Sequence, residues 1–304
     1  MKNKLMLITG SHDATCDYIQ GKFQDKYFFR LNLDLFSDYK IAIDNGSFQI
    51  IHEGLDICSD ECLGIYFRKP IFENLEGVFD SAYHNFAHRE TFSLIEGLVE
   101  SFDGPCLSKP SKIRKANNKV FQLFLAEKLG FKVPASRITN NMEVVRDFDV
   151  SAMIVKPLAI GTVEHANHRE YVQTNMVSKE TPMDKLKFAP AYFQEYTEKD
   201  YEVRVTFVRD QAHAVRIESE NKIDWRKKEN NIIYRPYTLP SSIYLKCLDF
   251  MREADMEFGC FDFIVNNGEF VFLEMNANGQ WAWLEKIPGC NVANSIIDYL
   301  SDVS

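Results

Sequence analysis

The apolar and polar positions of this chain change period several times, and each change marks an element. An apolar run over 5–8 stops at Gly10 and reads as a short buried strand. A helix through about residue 23 and a strand over 27–31 follow, giving the strand–helix–strand order of a parallel α/β unit. Apolar segments over 41–43 and 48–52 flank Asp44, Asn45, Gly46 and Ser47. The Asn-Gly step tolerates the positive φ of a tight hairpin. A strand over 63–67 ends in Arg68, Lys69 and Pro70, a basic pair that either meets solvent or aims into a cleft. Helical periodicity covers 81–100, and Asp103, Gly104 and Pro105 make a turn that suits a domain boundary.

Beyond that turn, the pattern predicts one helix over 115–129 with Gly130 at its C-terminus, a strand over 132–137, and a short helix capped by Asn140 and Asn141. A strand over 152–156 ends in Lys156 and Pro157. The segment 158–170, with a single glycine at 161, reads as a loop and carries His165 and His168, both read as solvated. Strands are expected over 192–196, from about 199 onward, and over 212–217 after a turn at Asp210 and Gln211. An amphipathic helix is expected over 240–258, with Ile243, Leu245, Leu248 and Met251 inward and Gly259 ending it. A hairpin then turns at Asn266, Asn267 and Gly268, and a short helix over 292–300 closes the chain.

The polar residues of the last hairpin stand out from its apolar background. Asp262 lies in the first strand, and Glu274 and Asn276 lie two apart in the second, on one face. A hairpin folded at Gly268 brings Asp262 near that pair. Two carboxylates and an amide oxygen are hard ligands of the kind Mg²⁺ prefers. His84 and His88 stand four apart on a helix, but no third ligand lies nearby, so that pair is read as structural.

Composition narrows the function classes. With 304 residues and 45% hydrophobic content, the chain can bury a sizeable core. A net charge of −9 argues against a general nucleic-acid binder, though not against a locally basic cleft. The seven cysteines form no CxxC pair, the N-terminus lacks a secretory apolar region, and no long apolar stretch suggests a membrane span. A cytoplasmic protein with free thiols is expected.

Asp262 followed by Glu274 and Asn276 resembles the metal-binding hairpin of the ATP-grasp ligases. The continuation through Asn278, Gly279, Gln280, Trp281 and Trp283, and the triplet Asp224, Trp225 and Arg226, resemble the microviridin-type peptide ligases that make graspetides. So do His12, Asp13, Ala14 and Thr15, the run from Phe29 to Asp34, and Phe67, Arg68, Lys69 and Pro70. The resemblance implies an ATP-grasp fold behind an N-terminal α/β domain. It divides the chain into 1–105, 106–190 with the lysines, and 191–304 with the hairpin.

By that resemblance, Mg²⁺ falls to Asp262, Glu274 and Asn276, and the triphosphate of ATP to Lys119 and Lys156. Gln194, Glu195 and Tyr196 lie by adenine and Glu202 by the ribose. Arg204, Arg216 and Arg226 stabilise transferring or developing negative charge, and Asp224 serves as a base or orients Arg226. The implied partner is a ribosomal precursor peptide with a leader. Its Asp or Glu side chains are phosphorylated and joined to Ser or Thr as esters, or to Lys as amides. A homodimer is compatible with the family. A ligase that adds a free amino acid to a carboxylate, and a nucleotide sensor without turnover, stay open as rival readings.

Overall fold

The computed structural model describes residues 3–159, 161–164, 169–172, 174–178, 180–220 and 231–302. A parallel sheet opens the chain, with strands ordered Tyr27–Asn32, Lys4–Thr9, Cys62–Phe67 and Cys106–Leu107. Helix Ala14–Lys22 makes the crossover between the first two, and Asp13 caps it by accepting from the Thr15 amide at 2.9 Å. A three-stranded antiparallel meander, Lys40–Asp44, Ser47–His52 and Leu55–Cys58, lies in sequence between strands Tyr27–Asn32 and Cys62–Phe67. Its first turn holds Asn45 and Gly46 at φ 50° and 80°, as the Asn-Gly step requires.

A two-stranded ribbon, Thr162–Glu164 with Arg169–Tyr171, and two larger antiparallel sheets follow. The smaller is ordered Asn175–Met176, Met153–Lys156, Ala191–Glu195 and Ser136–Thr139. The larger is ordered Ile232–Pro236, Gln211–Ser219, Tyr201–Val208, Phe258–Asn266 and Glu269–Asn276. Its odd-numbered positions, among them Val203, Val205, Phe207, Phe261 and Phe263, pack against Cys247, Phe250 and Met251 of helix Ser241–Glu253. Its opposite face shares a core with the first sheet. Val215, Ile217, Cys260 and Trp281 join Leu5, Leu7, Tyr66 and the closing helix Val292–Leu300 in one apolar cluster. That helix lies so close to the parallel sheet that a Cβ on Gly64 would stand 2.4 Å from the Leu300 carbonyl oxygen.

Several expected elements are adjusted. The helix over 115–129 is two, Pro110–Ala116 and Lys119–Lys128. Asn118 ends the continuity because its side chain accepts from the amides of Val120 and Phe121, which starts a new helix. The strand expected over 132–137 begins at Ser136, with Lys132 instead making an isolated bridge to Val271. Only Asn141 caps helix Met142–Arg146. The helix expected over 240–258 ends at Glu253, Gly259 lies inside a strand, and Leu245 is exposed. His84 and His88 each place Nε2 against a backbone carbonyl, of Phe79 and Glu73, as structural histidines do.

Candidate active site

The hairpin Phe258–Asn266 and Glu269–Asn276 brings the three predicted ligands together. Asp262 pairs with Glu274 and Cys260 with Asn276 across the ladder. Strict alternation would put Phe272 and Glu274 on one face. A bulge prevents this: the register slips between Asp262 and Phe263, leaving Leu273 as the extra residue. Phe272 therefore joins Phe263 in the core, while Glu274 turns to Asp262 on the other face. The Asn276 amide nitrogen donates to Asp262 Oδ2 at 3.0 Å and to Glu274 Oε1 at 3.2 Å.

Arg204 stands on the neighbouring strand, directly across from Asp262. Its Nη1 donates to Asp262 Oδ2 at 2.6 Å, and the side chains are only 7% and 9% exposed. Burial works against the guanidinium charge, but Asp262 more than offsets it and holds the proton more firmly than usual. Glu202, two residues earlier on the same face, is paired with Lys199.

The two lysines approach from the other side. Lys119 opens its helix, places Nζ 4.0 Å from Glu274 Oε2, and donates to the Pro157 carbonyl at 2.7 Å. Lys156 ends its strand with Nζ 3.1 Å from Gln194 Oε1 and 4.4 Å from the Tyr192 ring centroid. Burial pushes the Lys156 amine from 10.5 down to about 8, with Glu274 opposing and Lys119 assisting. Between Lys119, Tyr192, Gln194 and the hairpin lies a narrow cleft, partly open to solvent, walled by Leu123, Val133 and Phe272.

Not every predicted residue reaches this cluster. Arg216 pairs with Val203 in the ladder, so it projects to the helix-covered face, opposite Arg204 and Asp262. Its guanidinium carbon sits 3.8 Å from the Tyr201 ring centroid, and Nε lies 2.8 Å from Glu218 Oε1. The structure thus places Arg216 apart from the cluster of Arg204, Asp262 and Glu274. The Tyr196 amide donates to the Ala152 carbonyl at 2.9 Å and the Glu195 amide to that of Ala135 at 2.8 Å. Neither N–H is available to a base edge in this arrangement. Asp224, Arg226, His165 and His168 lie outside the described residues.

Residues that sequence patterns did not single out hold the site together. Gln122 is buried and brackets Met275, accepting from its amide at 2.8 Å and donating to its carbonyl at 2.7 Å. Asn117 accepts from the Ala277 amide at 2.9 Å. These bonds dock the helix of Lys119 onto the strand of Glu274. The polar pair Asn117 and Asn118, inside an otherwise helical pattern, was the available signal.

Among the described residues no group of three or more His, Cys, Asp or Glu side chains could hold a metal, and the hairpin offers two carboxylates and one amide. That donor set fits Mg²⁺, which keeps several waters and accepts few protein oxygens. The Asn276 NH₂ group bridges both carboxylates as a cation does. A half-turn of that amide presents oxygen instead.

Solved structures resemble the chain throughout its length. Macrocyclase MdnC of Microcystis aeruginosa MRC, bound with precursor peptide MdnA, is 26% identical with a TM-score of 0.86, covering 98% of this chain and 99% of that one. A RiPP-associated ATP-grasp ligase of Chryseobacterium gregarium, in complex with ADP and a leader and core peptide, is 26% identical with a TM-score of 0.88, covering 99% and 97%. The chain matches the graspetide-type ATP-grasp ligases. The ATP-grasp ligase PsnB, complexed with minimal precursor, Mg and ADP, shares the fold at 19% identity and a TM-score of 0.77, covering 99% of each chain. No protein-family model matches this ATP-grasp chain, and no curated protein does. No helix among its described residues is long and apolar enough to cross a membrane.

Proposed function

We propose that this chain is an ATP-dependent ligase that joins Asp or Glu side chains of a ribosomal precursor peptide to Ser or Thr hydroxyls, or to Lys amines, within the same peptide. The observation that carries the reading is the pairing of Asp262 with Glu274, beside Asn276, Arg204 and two converging lysines, in a fold shared with peptide macrocyclases. A carboxylate condenses poorly because its leaving group resembles hydroxide. Transfer of the γ-phosphoryl group of ATP to the carboxylate oxygen releases ADP and gives an acyl phosphate. The hydroxyl or amine then attacks the carbonyl, phosphate departs, and the peptide has lost the elements of one water.

Asp262, Glu274 and Asn276 would hold Mg²⁺, which when bound neutralises phosphate charge. Lys119 and Lys156 would meet the triphosphate as compact positive charges. Arg204 already faces the carboxylates and would stabilise charge on the transferring phosphoryl group, an electrostatic and positioning task. Gln194, which lines the cleft, and Glu202 are assigned by resemblance to the base and the ribose. Asp224 and Arg226 are assigned by resemblance to the acyl-transfer step.

The deciding experiment incubates the purified chain with ATP, Mg²⁺ and the short peptide encoded beside its gene, and reads the peptide's intact mass. ATP-dependent loss of one or more waters is the expected result, and fragmentation separates ester from amide. ATP hydrolysis with an unchanged peptide mass, and with a free amino acid consumed instead, would overturn the reading.

A further inference from the structure

The segment after the hairpin is clamped by the first sheet, and the clamp runs to Arg204. Arg68 closes strand Cys62–Phe67 and is fully buried. Its Nε lies 3.0 Å from Asp13 Oδ2, and one Nη donates to Thr15 Oγ1 at 3.0 Å. Asp13 is itself held, accepting from Thr9 Oγ1 at 2.8 Å. The same Arg68 nitrogen donates to the side-chain oxygen of Gln280. On either side of Gln280, Asn278 donates to the Phe67 carbonyl at 3.4 Å, and Trp281 Nε1 donates to Tyr66 Oη at 2.9 Å.

The backbone of the clamped segment touches the reacting side of the hairpin. The Gln280 carbonyl accepts from Arg204 Nη2 at 3.3 Å. Gly279 is wedged against the same guanidinium, where a Cβ would lie 2.7 Å from Nη2 and 2.6 Å from Cys260 Cβ. Arg204 is thus held between Asp262 on its own sheet and a loop whose place is set by another sheet. Arg68 and Asp13 sit where strands Lys4–Thr9 and Cys62–Phe67 of the parallel sheet end, next to the turn after Thr9. An Arg fully withdrawn from water is costly unless its partners compensate, and here they also hold a loop.

We infer that Arg68 is a positioning residue of the ligase: through Gln280 it fixes the loop 277–281, and through that loop the guanidinium of Arg204. The inference rests on the proposed role of Arg204 in phosphoryl transfer. Arg68 touches neither substrate nor nucleotide in this assignment. Its effect is the placement of a charge that must coincide with the transferring group, where a displacement of about 1 Å costs about 100-fold in rate.

The test uses Gln280→Leu, because Gln280 is exposed and its replacement leaves the Arg68–Asp13 pair intact. Arg68→Lys is the companion, keeping a charge for Asp13 without the fork that reaches Gln280. Two measurements are made on the full chain. The first is amide hydrogen exchange over 277–284 without nucleotide. The second is peptide-dependent ADP release with ATP, Mg²⁺ and the peptide encoded beside the gene, for both variants, for Arg204→Met and for Gln280→Leu/Arg204→Met.

The inference expects faster exchange confined to 277–284 and a roughly 10- to 100-fold loss of kcat in Gln280→Leu, with KM for ATP changed far less. In the Arg204→Met background, Gln280→Leu should cost nothing further, because its effect passes through Arg204. Independent, multiplying losses would overturn it, as would unchanged exchange over 277–284. If Arg204→Met alone leaves ADP release intact, the proposed site fails instead, and the exchange result still decides whether the clamp exists.

Discussion

Replacing Asp262 with Ala separates the structural and chemical duties of the hairpin. The Arg204–Asp262 contact is 2.6 Å long with both side chains under 10% exposed. At an effective dielectric of about 20 the attraction at that distance is about 6 kcal/mol. Desolvation of both ions offsets much of this, so the pair itself contributes little net stability. Removing one member is different, since the other stays buried and uncompensated, at a cost of about 3–5 kcal/mol. In Asp262→Ala, Arg204 keeps only the Gln280 carbonyl at 3.3 Å among the bonds described for it. At roughly 2–4 °C per kcal/mol, Tm should fall by about 10 °C. Asp262→Leu/Arg204→Met removes both charges and should recover most of that loss while remaining inactive. The assay is thermal and urea unfolding without nucleotide, followed by ADP release. A Tm within about 2 °C of the unmodified chain for Asp262→Ala, or a double variant worse than either single one, would refute the buried-pair reasoning.

Three further outcomes are expected. Glu274→Gln, at a side chain 24% exposed, should leave Tm nearly unchanged and reduce Mg²⁺-dependent ADP release by about 100-fold or more, measured across a Mg²⁺ titration. Lys156 carries a folded pKa of about 8 against its ordinary 10.5, so its burial penalty is full below pH 8 and fades as pH rises through 8 toward 10.5. The unliganded chain should gain stability from this group across that window, while nucleotide affinity falls above pH 8 as the amine loses the proton the phosphates require. Lys156→Met should flatten both profiles in paired unfolding and nucleotide-titration series. Gly279→Ala should destabilise by about 1–3 kcal/mol, read by urea unfolding, because the added methyl meets Cys260 and Arg204 with nowhere to relax.

That Asp262, Glu274 and Asn276 meet was legible in sequence because the turn at Gly268 fixes which residues face one another. The bulge at Leu273 was not legible. Period-two reasoning puts Phe272 and Glu274 on one face, and only the observed register shows the phase change that sends one to the core and the other to the site. The placement of Arg216 was not legible for a related reason. Its face depends on pairing with Val203 across a turn, and a shift of one residue inverts it. The clamp at Arg68 was read as either a solvated strand end or a cleft residue because its partners, Asp13 and Gln280, come from widely separated parts of the chain. The polar interruption at Asn117 and Asn118 did carry a signal, but Asn118 ended one helix and began another where a continuous one was expected.

The closing helix Val292–Leu300 completes the core of the sheet that begins the chain. At translation rates of about 5–20 residues per second, the first strand leaves the ribosome roughly 15–60 s before that helix does. Through that interval Leu5, Leu7 and Tyr66 have Cys16 and Ile19 beside them but lack the helix that completes their cluster, and an incompletely covered parallel sheet is a sticky object. Those strands wait longest for the cover that Val292, Ile296 and Leu300 supply. A chain cut before Val292 leaves its gap at the opposite end, on the side of the earliest strands that Val292, Ala293, Ile296, Ile297 and Leu300 fill.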